Sequence, residues 1–184
     1  MLKLKKHTPL AFYMLNHKKK RICVIGGGPS GLVMAKSLLE YRFQRMEAAR
    51  NNAKVHGYKG VMFPWESDDK GQESTSVWAL TGPFQHHITA DVGWAFWKYY
   101  QVTKDKEWLK TRGYPMLKEV ADFWVSRAEK GSDGKYHIIN VVCADEWAEN
   151  VDDNAYTNGM AKEVLGYANQ AARELGLPEN PKWK

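Results

Sequence analysis

The chain has 184 residues, enough for one ordinary domain with its own core, and at 43% hydrophobic and 26% charged it is globular rather than disordered. Its net charge of +6 suggests a nucleic-acid surface, but eight of the 27 Lys and Arg fall in residues 1–39, which hold no acid; residues 40–184 then carry 19 basic against 21 acidic side chains, a net of −2, and offer no phosphate-tracking face. No apolar run approaches a membrane span, so neither nucleic acid nor membrane is an expected partner, and Cys23 and Cys143 have neither metal-ligand spacing nor the pattern of a disulfide framework.

Residues 1–19 read as a basic, disordered arm. The apolar stretch Pro9 to Leu15 lacks a small-residue cleavage site and only mimics a signal peptide, and a cytoplasmic location is favoured. Residues 20–39 read as a β-strand, a glycine turn and the start of a helix. Gly26, Gly28 and Gly31 fit the spacing that lets a backbone approach a pyrophosphate at a helix N-terminus. The segment Arg21-Ile-Cys-Val-Ile-Gly-Gly-Gly-Pro-Ser-Gly31 resembles the first strand–turn–helix of flavin-containing monooxygenases. That resemblance implies FAD or NAD(P) binding by the three glycines. Such a site also needs a second strand ending in an acid about twenty residues on. Here no β-branched residue occurs between Glu40 and Lys54, so the motif is incomplete and FAD is not expected. The change of character near residues 37–41 reads as a join between unrelated segments.

From there the pattern is helical. One continuous helix is expected from about Ser30 to His56, stopped by Gly57. A loop rich in Gly, Pro, Ser and acids covers about 58–87. The next helix spans Thr89 to Thr103, with Val92, Phe96, Tyr99 and Val102 at three- and four-residue spacing. Glu107 to Lys110 reads as a short helix, and Pro115 suits a first helical position. Leu117, Val120, Trp124 and Ala128 mark the face of the helix that follows. After a turn at Gly131 to Gly134, residues Tyr136 to Cys143 read as β-like. A last long helix is expected from about Asn154 to Leu175. Helix pairs joined alternately by short turns and long loops fit a toroid of helical hairpins, whose chemistry sits on loops at one end.

Four segments carry a second resemblance. They are Tyr41-Arg-Phe-Gln-Arg-Met-Glu-Ala-Ala-Arg50, Gly60-Val-Met-Phe-Pro-Trp-Glu-Ser67, His87-Ile-Thr-Ala-Asp91 and Ala144-Asp-Glu-Trp-Ala-Glu-Asn-Val-Asp-Asp-Asn-Ala-Tyr-Thr-Asn158. In order and spacing they resemble glycoside hydrolase family 65, across nearly all of residues 40–184. The resemblance implies a mainly α fold, part of an (α/α)6 toroid, and an inverting glycoside hydrolase or phosphorylase acting on α-glucosides. It implies Glu146 as general acid. Glycoside cleavage needs such an acid beside the leaving oxygen, and Asp145-Glu146-Trp147 offers a carboxyl next to an aromatic and a second acid. Trp65 is then a stacking wall for a sugar, or else a core aromatic pinning its loop, and Glu66 an acceptor for sugar hydroxyls. His87 and Thr89 are either sugar contacts or structural, and Asp91 fits equally as a helix N-terminal acid. Asp152, Asn154, Tyr156 and Asn158 are expected to hold the loop presenting Glu146. His56, His86 and His137 show no partner pattern. The family more often has Pro at the place of Ala144 and Tyr-His at Trp147-Ala148, which leaves the sugar open.

The expected partners are an α-glucoside and, for a phosphorylase, inorganic phosphate. No cofactor or metal is expected for the glycosidase part. An inverting hydrolase needs a second carboxylate, and a phosphorylase a phosphate pocket; in the family both follow the acid in later hairpins. The chain is therefore expected to be a central piece, inactive alone, with exposed helix faces that favour association. Two other readings stay open: an oxidoreductase piece using the Gly26–Gly31 turn, and a non-catalytic carbohydrate-binding protein.

Overall fold

The computed structural model describes residues 29–184. The N-terminal arm, Cys23, the expected strand, Gly26 and Gly28 lie outside the described residues. Gly31 lies within the first helix and is buried.

Helix α1 spans Pro29–Gln44 and α2 Met46–Val55. The single helix expected over 30–56 is thus broken at one residue, Arg45 (φ −100°, ψ 10°). Arg45 Nε donates to the Asp69 carbonyl, and Gly71 (φ +84°) rests against the Arg45 side chain. The break coincides with this contact, a long-range one invisible to local propensity. Gly57 (φ +83°) ends α2 as expected.

The 58–87 region is mostly loop but contains a short helix, α3 (Thr81–Phe84), and the following helix α4 starts at His87 and ends at Thr103. Its buried face is Val92, Gly93, Phe96, Trp97 and Tyr100, while Val102 is exposed. The apolar stripe drifts from the expected 92–96–99–102 line because Trp97 stacks on Tyr167, with centroids 5.5 Å apart. Gly93 allows the close approach. A Cβ there would sit 3.1 Å from Val120 Cγ1 and 3.3 Å from Val164 Cγ1.

The expected separate short helix is instead the first turn of a longer one. Helix α5 (Lys106–Trp108), capped by the Asp105 carboxylate on Trp108 N–H, runs through a π turn at Leu109–Gly113 into α6 (Tyr114–Arg127). Pro115 explains the widened turn: it has no N–H to give and its ring would press on the Thr111 carbonyl of an α-helix. The β-like stretch 136–143 is mostly irregular. Among the described residues only β1 (Glu129–Lys130) and β2 (Tyr136–His137) pair as an antiparallel ribbon, and two isolated bridges join Ser67 to Glu73 and Val141 to Val151. Helix α7 (Ala155–Glu174) is capped by Asn154, whose Oδ1 accepts from Thr157 N.

The core lies where α4, α6 and α7 pack together, with α1 against α4. Phe96, Leu117, Val120, Phe123, Trp124 and Val164 are essentially inaccessible. An open trough of about 590 Å³ is lined by Trp124 of α6, Leu165 of α7, Ile138 and Trp183, and Glu146 is not part of it. Among the described residues, no helix is long and apolar enough to cross a membrane.

Candidate active site

The expected site residues come from three segments that meet at the N-terminal end of α4. The first is the buried run Val61-Met-Phe-Pro64, which leads to Trp65. Met62 N–H donates to the Ala49 carbonyl at 3.0 Å, and Asn52 Nδ2 donates to the Met62 carbonyl at 2.9 Å. Phe63 N–H donates to Thr89 Oγ1 at 3.0 Å in a fully buried position. Thr89 therefore spends its hydroxyl on the backbone of the Trp65 loop. Trp65 is half-buried and meets the His87 ring edge-on, with centroids 6.2 Å apart. Glu66 is exposed.

Glu73 shapes the Trp65–Glu66 corner, a role the sequence did not suggest. Its carboxylate accepts from the backbone N–H groups of Trp65 (2.8 Å), Glu66 (3.2 Å) and Thr75 (3.0 Å), and from Thr75 Oγ1 (2.5 Å). Its sequence signal is an acid two residues before Thr75 in a tight loop of polar residues.

The second group starts α4. His87 is buried, and its Nδ1 lies 2.8 Å from Asp91 Oδ2. Asp91 Oδ1 accepts from Tyr156 Oη at 3.0 Å, and the Tyr156 ring stands edge-on to His87 at 5.1 Å. Asp91 is thus a bridge from α4 to α7 rather than only a helix-start acid. His86, which showed no partner pattern in the sequence, is buried between two partners. One ring nitrogen faces the Pro83 carbonyl at 2.8 Å, and the other accepts from Arg127 Nε at 2.9 Å. Burial, then the Arg127 charge, pushes the His86 pKa down to about 4, so the ring is neutral. Arg127 also donates to the Ile139 carbonyl, at the root of the third loop.

That third loop carries Glu146 at its tip. Its stem pairs Ile138 with Asp153, Asn140 with Asp152, and Val141 with Val151. Cys143 N–H reaches the Ala148 carbonyl at 3.4 Å, and Val142 N–H donates to the Phe84 carbonyl at 3.1 Å. At the turn, Asp145 Oδ1 accepts from Trp147 N–H at 3.2 Å. Positive φ at Asn140, Asn150 and Asp153 lets the chain make these bends. Asp152, Asn154, Tyr156 and Asn158 all contribute: Asp152 accepts from Asn140 N–H, Asn158 donates to Asp153, and Asn154 and Tyr156 anchor α7 as described above. His137 also takes part, against its unassigned status in the sequence. Its Nδ1 lies 2.6 Å from Asp153 Oδ2 and its Nε2 3.1 Å from Asp133 Oδ1. The two carboxylates raise its pKa, Asp153 most.

Glu146 itself is exposed, and its carboxylate makes no hydrogen bond among the described residues. Trp147 is 95% exposed, so among the described residues it does not form the aromatic wall expected beside the acid. Cys143 is a free, buried thiol. Among the described residues, no group of three or more His, Cys, Asp and Glu is arranged to hold a metal ion. What the geometry provides is an exposed carboxylate on a braced turn, whose base is tied to the segment just before α4, with the Trp65 loop fixed on the first turn of the same helix.

Known proteins are similar to this chain in sequence and fold. The glycosyl hydrolase family 65 central catalytic domain matches residues 31–182, beginning inside α1. A kojibiose hydrolase of Flavobacterium johnsoniae is 58% identical over 150 residues, covering 82% of this chain and 22% of that protein. A kojibiose phosphorylase of Thermoanaerobacter brockii is 45% identical over 139 residues, covering 70% and 18%. A solved structure provisionally named a kojibiose phosphorylase, from the human microbiome, superposes with a TM-score of 0.74 at 26% identity, covering 82% and 22%. The chain thus spans about a fifth of the length of these relatives. These similarities do not support the flavoprotein resemblance of residues 20–39. The mainly helical fold is a segment of the (α/α)6 toroid, and with the catalytic-domain match over most of its length the chain belongs to glycoside hydrolase family 65.

Proposed function

We propose that an enzyme containing this domain cleaves an α-linked glucoside of the kojibiose kind, with Glu146 as the general acid. The observation that supports this reading is the braced hairpin, which presents at its tip an exposed carboxylate with no partner among the described residues. Cleavage by inversion passes through an oxocarbenium-like state. Glu146 delivers its proton to the glycosidic oxygen as the C–O bond breaks, and the nucleophile attacks the opposite face. Trp65 and Glu66 form one wall of the sugar pocket, held in place by Glu73 and Thr89. The higher identity to the hydrolase than to the phosphorylase favours water as the nucleophile; inorganic phosphate is the alternative. No residue of this chain is assigned as the base that would activate water, and we expect the 184-residue chain alone to show no turnover.

The test is kojibiose cleavage by an enzyme of the relatives' length carrying this domain, with and without phosphate. Glu146→Gln should lower kcat by about 10²–10⁴-fold with little change in KM. A variant within a few-fold of the parent would overturn the assignment, whichever nucleophile is used. Strict dependence on added phosphate would overturn the preference for water alone.

A further inference from the structure

We infer that Gln85, with His87, is a positioning residue that fixes the loop carrying Glu146. This rests on the reading of Glu146 as the acid. Gln85 is 2% exposed, between α3 and α4. Its Nε2 lies 3.0 Å from His87 Nε2 and 3.0 Å from the Cys143 carbonyl oxygen. An amide nitrogen has two hydrogens, and these two contacts use both. Its Oε1 is buried without a partner.

The orientation follows from that pattern. Rotating the amide by 180° would set Oε1 against the Cys143 carbonyl, two acceptors facing each other, and break the anchor. With the nitrogen where it is, His87 accepts at Nε2. Its proton then sits on Nδ1 and is donated to Asp91. The other Asp91 oxygen takes the Tyr156 hydroxyl. One polar chain therefore runs from the Cys143 carbonyl through Gln85, His87 and Asp91 to Tyr156. It links the acid loop, the start of α4 and the start of α7, and the His87 ring also abuts Trp65.

Two consequences follow. Both His87 nitrogens are occupied within the protein, so His87 acts through its neighbours and does not touch the sugar by a ring nitrogen. Cys143 is where the Glu146 turn closes, through its N–H and the Ala148 carbonyl, so the Gln85 bond fixes the base of that turn three residues from the acid. An apolar side chain would bury more readily at Gln85 and leave no unpaired oxygen. What the glutamine contributes is its pair of donors.

The test uses Gln85→Met, which keeps the length and bulk and removes both donors. In the 184-residue chain, amide exchange at Cys143, Trp147 and Ala148 should rise about tenfold, with the α4, α6 and α7 cores unchanged. Unchanged loop exchange in a folded variant would overturn the inference. A measurement on the unaltered chain guards against a variant that fails to fold. The imidazole ¹⁵N shifts of His87 should show the Nδ1–H tautomer near pH 7, and the Nε2–H tautomer would overturn the inference. In the longer enzyme, Gln85→Met should lower kcat about tenfold with KM within about twofold. If Glu146→Gln leaves that enzyme active, the acid assignment fails, while the exchange and tautomer results still decide whether Gln85 fixes the loop.

Discussion

Thr89 sits under the candidate site with its hydroxyl fully buried, and the group it serves is a backbone amide 26 residues away. Thr89→Val keeps the shape and leaves the Phe63 N–H unpaired in the interior. Such a loss costs about 1–3 kcal/mol, so urea denaturation should show a destabilisation of that size, with Thr89→Ser near the parent. A change below about 0.5 kcal/mol in Thr89→Val would contradict the bond's importance. The sequence left Thr89 and His87 undecided between sugar contact and structure, and the reason is physical. Their partners are a main-chain amide, a carboxylate one helical turn on and a glutamine whose role depends on a carbonyl 58 residues away. Residue type carries no trace of such partners. Glu146 is singled out by a dense local motif, whereas Glu73 and Gln85 stand alone and carry no such signal in the sequence.

At the scale of elements, the hairpin that bears Glu146 is held at its root by charge. His137 lies between Asp153 on the stem and Asp133 on the preceding turn. Its folded pKa is raised above 6.5, first by Asp153 and then by Asp133. The folded pKa of Asp153 is lowered below 3.8, chiefly by His137. A raised histidine contributes stability that is full below the unfolded pKa and is lost as pH rises through the folded one. A lowered carboxylate contributes stability above its unfolded pKa and loses it as pH falls through the folded value. The melting temperatures of the parent and His137→Asn should therefore differ most between roughly pH 4 and 6.5 and converge as the pH rises beyond 7. A difference that grows toward pH 8 would contradict this pairing.

The loop entering the site depends on one glycine. Gly60 has φ +68°, and a Cβ there would lie 2.1 Å from the Glu119 carbonyl oxygen of α6. Gly60→Ala should cost at least about 2 kcal/mol, from left-handed strain and the backbone clash together. Denaturant titration reads this directly, and a neutral substitution would mean that the loop does not press on α6. Helix α7 and the end of α2 were legible from their stop and cap residues. The break at Arg45 was not, because a distant carbonyl and Gly71 meet that residue. The π turn before α6 was half-legible: Pro115 announced a change, though not that the helix would continue through it.

At the scale of the whole fold, residues 29–184 form a run of helices whose shared core lies between α4, α6 and α7, with the site loops tied to the start of α4. Three- and four-residue spacing gave the helices, and resemblance gave the toroid. The association of loops across the stack came only with the structure, because Phe84 meets Val142 and Gln85 meets Cys143 across more than fifty residues. Acid catalysis is needed only when the leaving group is poor. In an enzyme of the relatives' length carrying this domain, the deciding measurement compares kojibiose with an α-glucosyl substrate whose leaving group needs no proton, such as a dinitrophenyl glucoside. Glu146→Gln should lose about 10²–10⁴-fold on kojibiose and less than about tenfold on the activated substrate. Equal losses on both would contradict Glu146 as the proton donor.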